Sequence, residues 1–146
     1  MRQTSVVVDF VGPHRQRSDM SEQTVFRPAT ESDRLAAYAN VFEVWPCADD
    51  VNTHVNRRLA SRQHQHAHWF VGVVDGVVAT SLGCYPTRIF HKGRVEDAVT
   101  IGAVHTRSDY RGQGLARGLF EFVESYQAER GVTFSILYSD IEPGYY

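Results

Sequence analysis

No apolar run in the chain approaches the ~18 residues that a membrane span requires. The first 20 residues lack a basic start followed by a continuous apolar stretch, so they do not read as a secretory signal. Cysteine is scarce. Cys47 and Cys84 fit no metal or redox spacing and are too few for a disulfide framework, so both read as small buried residues in a reducing, cytoplasmic setting. Charge of one sign is also missing: 15 Lys and Arg face 17 Asp and Glu, for a net charge of −2. That balance gives no global attraction to nucleic acid or to an anionic membrane. At 146 residues the chain is one domain's worth, enough to bury a single core.

What the chain does have is concentrated between Thr100 and Phe120. Residues Thr100 to Val104 are β-branched or small and read as a buried strand. From Gly114 onward, Leu115, Leu119, Val123 and Tyr126 recur at helical spacing. Between them lies a loop with Arg107, Arg111, Gly112 and Gly114. A strand that runs through such a loop into a helix presents unpaired N–H groups and the positive end of the helix dipole, which suits a phosphate.

Spacing narrows the phosphate ligand. A dinucleotide fingerprint needs a third glycine at position 117, where Arg117 stands and the glycine falls instead at Gly118. A nucleoside-triphosphate loop ends in Gly-Lys-Ser/Thr, and this stretch contains no lysine. What fits is Arg-x-x-Gly-x-Ala, here Arg111, Gly114 and Ala116, preceded by Val104, His105 and Thr106. With the strand before it and the amphipathic helix after it, this pattern resembles motif A of the GNAT superfamily of N-acetyltransferases.

The rest of the chain supplies the surrounding elements. Residues 1–20 read as a flexible leader with an optional strand near Val6–Val11, and residues 21–146 as the domain. Thr24–Arg27 is a short strand halted by Pro28, and Thr30 with Asp33 forms a helix cap. Leu35, Tyr38, Ala39, Phe42 and Trp45 then step along one inward helical face until Pro46. A second helix spans Asp49 to Arg62 with Val51, Val55 and Leu59 on one side. If extended, His64, His66 and His68 would share a strand face, which invites a metal; with no acidic or cysteine partner nearby, a polar link into the next strand is the preferred reading and no metal site is expected. Trp69–Val74 and Val77–Gly83 flank the Asp75–Gly76 turn as a hairpin. Cys84 to Lys92 reads as irregular, Gly93 and Arg94 as the next turn, and Val95–Val104 as an antiparallel strand. After the long helix, Gly131 is a stop, and Val132–Tyr138 is a strand parallel to the one before the helix. Ligands of such units sit beyond the carboxyl ends of the strands, near Val104, Gly112 and Ser139.

The resemblance therefore covers about residues 24 to 146 and implies an α/β fold of the α+β type: a mixed, mostly antiparallel sheet with one parallel strand pair, flanked by helices. The family's usual last strands have no counterpart in the sequence, which implies a truncated product, a homodimer or a second chain that completes the sheet. By the same resemblance, the cosubstrate is acetyl-CoA and the partner an amine acceptor of a small molecule or protein. Main-chain groups of Val104, His105 and Thr106 would hold the pantetheine arm, with the Val104 amide polarising the acetyl carbonyl. Arg111, Gly112, Gln113, Gly114, Leu115, Ala116 and Arg117 would cradle the diphosphate, although Arg111 serves equally well as scaffold of its own loop. Tyr146 stands where the family's tyrosine usually lies, with Tyr145 its rival; a phenol of pKa ~10 can protonate a thiolate whose conjugate acid has a pKa of ~8.5. Thr100 occupies the place of the family's usual glutamate base, which leaves His105, Asp97, Glu96 and Asp140 as candidates. Glu142 would add to an acidic mouth, and residues Tyr85 to His91 would line the acceptor side. A non-catalytic acyl-CoA-binding or interaction module is the competing reading.

Overall fold

Two tight turns set the register at the centre of the sheet. Asp75 and Gly76 both take left-handed backbone angles (φ 47° and 82°), as do Lys92 and Gly93 (φ 48° and 78°), and consecutive positive φ values match the twist of the strands they join. The computed structural model describes residues 4–9 and 23–139. The elements run β1 (Thr4–Asp9), β2 (Thr24–Pro28), α1 (Glu31–Asn40), a 3-10 turn (Val41–Glu43), α2 (Val51–Ala60), α3 (Arg62–His66), β3 (His68–Val74) and β4 (Val77–His91). They continue with β5 (Arg94–Thr106), a 3-10 turn (Ser108–Tyr110), α4 (Leu115–Ala128) and β6 (Phe134–Ser139).

Among the described residues the six strands order as β1-β6-β5-β4-β3-β2. Every neighbouring pair is antiparallel except β5 and β6, which are parallel. The expected α/β architecture, a mixed sheet with one parallel pair flanked by helices, is the one observed. Strand β1 lies along β6, with Thr4 opposite Ser139 and Asp9 opposite Phe134.

Both faces of the sheet are covered, so β3 is buried at every position after His68. On one face α4 sets Leu119 and Val123 against Phe70, Leu82, Ile101 and Leu137. Each such buried side chain contributes about 1.5–3 kcal/mol. On the other face Ala37 of α1 meets Val71, Val73 and Val78, while Tyr38 packs with Ala67 and Trp69. Helix α1 begins with a reciprocal cap: the Asp33 amide donates to Thr30 Oγ1 at 3.2 Å and the Thr30 amide to Asp33 Oδ2 at 2.8 Å. Burial pushes the Asp33 carboxyl up, but its hydrogen bonds from Arg27 and Thr30 outweigh that and hold it below the usual carboxylate range. No helix among the described residues is long and apolar enough to cross a membrane.

Several local expectations are corrected. Tyr38 is buried as expected, but Leu35 and Trp45 are 37% and 46% exposed, and the buried side is completed by Ala37 of α1 and Val41 of the following 3-10 turn. The second helix ends at Ala60 and α3 follows separately; its buried residue is His54, whereas Val51 is exposed. His64 and His66 are on α3 and His68 opens β3, so the three imidazoles share no strand face. Residues Cys84 to His91 are a regular continuation of β4, paired with β5 from Ile101 to Arg94. The turn is at Lys92 and Gly93, one residue earlier than expected, and β5 runs on to Thr106.

Candidate functional site

Strands β5 and β6 pair only from Ala98–Phe134 to Ile101–Leu137, yet β5 continues for five more residues. The β6-facing edge of Gly102 to Thr106 is therefore without a strand partner among the described residues, and the sheet opens there into a cleft. On the opposite edge, the β4 register jumps from Ser81–His105 to Gly83–Gly102, leaving Ala103 and Val104 opposite Leu82 alone. This is a β-bulge, and Ala103 carries its left-handed angle, φ 51°. Such a conformation costs a non-glycine residue on the order of 1 kcal/mol, and a bulge of this kind changes the local direction of the strand.

Beyond the bulge the chain turns through residues 107–114 into α4. Gly112 and Gly114 have φ of 77° and 74°, and a Cβ built on either meets nothing within 4 Å. The loop is open where a Cβ would intrude. No side chain caps the start of α4 among the described residues, so the first-turn amides of Leu115, Ala116 and Arg117 keep unpaired hydrogens at the positive end of the helix dipole. A helix start of this kind is chemically suited to an anion.

The arginines of this region point elsewhere. Arg107 makes a two-pronged pair with Asp109, at 3.0 and 2.8 Å. Arg117 reaches back along the helix to Glu121. Arg111 donates from Nε to the Thr106 carbonyl at 3.1 Å and lies 3.5 Å from Glu43. The Arg111 bond fastens the loop to the end of β5, while the other two arginines are paired within the loop and within α4. Of the other main-chain groups expected in the site, the His105 carbonyl accepts from Thr80 Oγ1 at 3.0 Å.

His105 is buried at the cleft (5% exposed), and its Nε2 lies 3.0 Å from Oε1 of Glu43. Its Nδ1 is buried with no partner among the described residues, as is Oγ of Ser81, its cross-strand neighbour. Burial pushes the imidazole below its ordinary value of 6.5; the Glu43 hydrogen bond and charge pull it back only in part, and Arg111 and Arg107 add to the depression. At neutral pH the ring is therefore uncharged. Because a carboxylate only accepts, Nε2 carries the hydrogen and Nδ1 the lone pair.

The remaining candidates separate from this centre. Glu96 and Asp97 stand near the start of β5, eight or nine residues from His105, which is roughly 25–30 Å at strand rise. There Glu96 meets His91 and Asp97 meets Arg88, so neither approaches the cleft. Asp140, Glu142, Tyr145 and Tyr146 lie outside the described residues. Tyr85 is half-buried against His64, with their polar atoms 3.3 Å apart, and packs near Ala103 on the α1–α2 side of the sheet. No group of three or more His, Cys, Asp or Glu side chains among the described residues is placed to hold a metal. Sequence reasoning missed Glu43: it is 62 residues from His105, and nothing in its local sequence distinguishes it from a solvated helix-end carboxylate.

Residues 25–146 match the family model of the acetyltransferase (GNAT) domain. No curated protein matches the chain. Among solved structures, the chain is similar to a conserved protein of unknown function from Enterococcus faecalis V583, described as a probable N-acyltransferase, with a TM-score of 0.72 and 15% identity over 86% of this chain. It spans 31% of that protein's length. Glucosamine-6-phosphate N-acetyltransferase from Arabidopsis thaliana superposes with a TM-score of 0.62 and 19% identity, covering 84% of this chain and 85% of that one. A predicted acetyltransferase from Clostridium acetobutylicum, solved with acetyl-CoA, gives a TM-score of 0.59 and 13% identity over 80% of this chain and 81% of the other. At these identities the likeness is one of fold.

Proposed function

The chain belongs to the GNAT family of acetyltransferases, and from that premise we propose that it transfers the acetyl group of acetyl-CoA directly to an amine of a small molecule or protein. The observation that carries this reading is the pairing of two features at one place: a cleft where β5 and β6 part after Ile101 and Leu137, and an open, glycine-shaped, uncapped helix start beside it.

In this reading the amides of Gly112 to Arg117 hold the diphosphate of the cosubstrate, and the open edge of Val104 to Thr106 pairs with its amide-containing arm. The Val104 amide, next to the bulge at Ala103, donates to the carbonyl oxygen as it gains negative charge. His105, neutral at pH 7, takes the proton that the acceptor nitrogen loses as its bond to carbon forms, directly or through one water. The phenol of Tyr146, from the sequence pattern, gives a proton to the sulfur as the carbon–sulfur bond breaks. The two free thiols suit a cytoplasmic setting.

The test is a panel of primary amines, cationic and neutral, assayed for acetyl-CoA-dependent release of free thiol. The reading expects turnover with at least one amine, abolished by blocking the cradle. Stabilisation by acetyl-CoA without thiol release on any amine would replace it with a non-catalytic acyl-CoA-binding module.

A further inference from the structure

Glu43 comes from the 3-10 turn that ends the first helix, far in sequence from the strand and loop that build the cleft. One of its two carboxylate oxygens, Oε1, faces two groups at once: Nε2 of His105 at 3.0 Å and Nη2 of Arg111 at 3.5 Å. Arg111 in turn donates to the carbonyl of Thr106, the residue after His105. The result is a closed ring, from the β5 main chain through Arg111 and Glu43 to the imidazole and back to β5.

From this ring we infer that Glu43 is the positioning residue of the site: it holds His105 in the tautomer that leaves Nδ1 as a proton acceptor, and it ties that acceptor to the loop that binds the cosubstrate. The inference rests on the reading of His105 as the proton acceptor, and it adds a residue that no motif marks. Two observations favour a functional role over a purely structural one. Glu43 and Arg111 are about half exposed, 45% and 57% at the side chain, and ion pairs so solvated contribute little to stability. Yet the Nδ1 atom that Glu43 orients is buried without a partner among the described residues, and an orphaned buried acceptor calls for an explanation, such as use in the reaction. The charged groups that face the ring are Glu43 from the 3-10 turn and Arg111 and Arg107 from the loop; Glu43 favours the protonated ring and the arginines oppose it.

The experiment compares the full chain with Glu43→Gln and Glu43→Ala. Glutamine keeps an oxygen that accepts from Nε2 but removes the charge, so the acid limb of kcat/KM moves to lower pH and kcat falls by about tenfold. Alanine also frees the ring to flip, and kcat falls by about a hundredfold, on the scale of a misplaced general base. In both, the acetyl-CoA Kd from calorimetry changes by less than about threefold, a modest effect expected of one released surface arginine. Nitrogen-detected NMR of the imidazole, which needs no turnover, is expected to show His105 protonated at Nε2 in the parent chain and to titrate at lower pH in Glu43→Gln. An Nδ1-protonated ring, or an acid limb and titration unmoved by Glu43→Gln, overturns the inference. Absence of turnover by the parent chain with acetyl-CoA bound overturns the transferase reading instead, while the NMR result still decides whether Glu43 sets the ring.

Discussion

A Cβ placed on Gly118 would lie 2.5 Å from Cζ of Phe26, with α4 and β2 on either side of the contact. The same ring stands 2.8 Å from where a Cβ on Gly72 would be, so Phe26 is boxed between two glycines and cannot simply swing away. Gly118 is thus the residue that lets α4 settle onto the sheet and so fixes the height of its first turn above the cleft.

Gly118→Ala is expected to destabilise the domain. Alanine gains about 1 kcal/mol of helix propensity over glycine, while forcing a methyl into a packed contact costs about 1–3 kcal/mol. A net loss on the order of 1 kcal/mol, read by urea unfolding, is the expected outcome. In a Phe26→Leu background the contact is gone and the same substitution becomes neutral or stabilising; an equal loss in both backgrounds contradicts the packing argument.

How much of this was legible in the sequence depends on range. The Asp75–Gly76 hairpin, the Thr30–Asp33 cap and the strand–loop–helix unit around Gly112 and Gly114 are written in neighbouring residues, and each appears as expected. On α1 the apolar spacing marks Tyr38 correctly, but it also admits the exposed Leu35 and passes over Ala37, which packs against Val71 and Val73. The bulge at Ala103 carries no sequence mark, since alanine is not a residue that announces a positive φ. Gly118 was met as a glycine one place late for a dinucleotide motif; its reason lies across space in Phe26. The Glu43–His105 bond spans 62 residues and had no local signal at all.

Thr30→Ala removes the cap of α1, whose carboxylate partner Asp33 is also held by Arg27. The expected loss is about 1 kcal/mol, seen in thermal or urea unfolding. Thr30→Ser keeps the oxygen and is expected to recover most of it.

Acid should loosen the fold before its carboxylates titrate. Burial is the leading cause that depresses His54, His64 and His105 below the ordinary 6.5. The unfolded chain therefore binds more protons than the folded one once pH falls through about 6.5, and stability drops from there downward. Asp33, Asp50 and Asp109, depressed below 3.8, add their loss only as pH falls through about 4. The expected Tm is flat from pH 7 to 8.5 and several degrees lower at pH 5; a Tm that holds constant from 7 to 5 contradicts the assignment of neutral, buried imidazoles.

The two cysteines should differ in reactivity. Cys47 is exposed, whereas Cys84 is buried and its thiol is pushed up to about 12 by burial. Since the thiolate is the reactive form, a thiol reagent at pH 8 is expected to label one cysteine in the folded chain and two in denaturant. Fast labelling of both in the folded chain would contradict the packing of β4 against α4.

The most direct measurement is calorimetric titration of the chain with acetyl-CoA, alongside Gly114→Asp. The aspartate sets a carboxylate and a strained backbone at the start of α4, where φ is 74° and no side chain caps the helix. One-to-one binding by the parent chain, weakened by at least about tenfold in Gly114→Asp, is the result expected. No heat with the parent chain, or equal affinity in the two proteins, would contradict the claim that this helix start holds the cosubstrate.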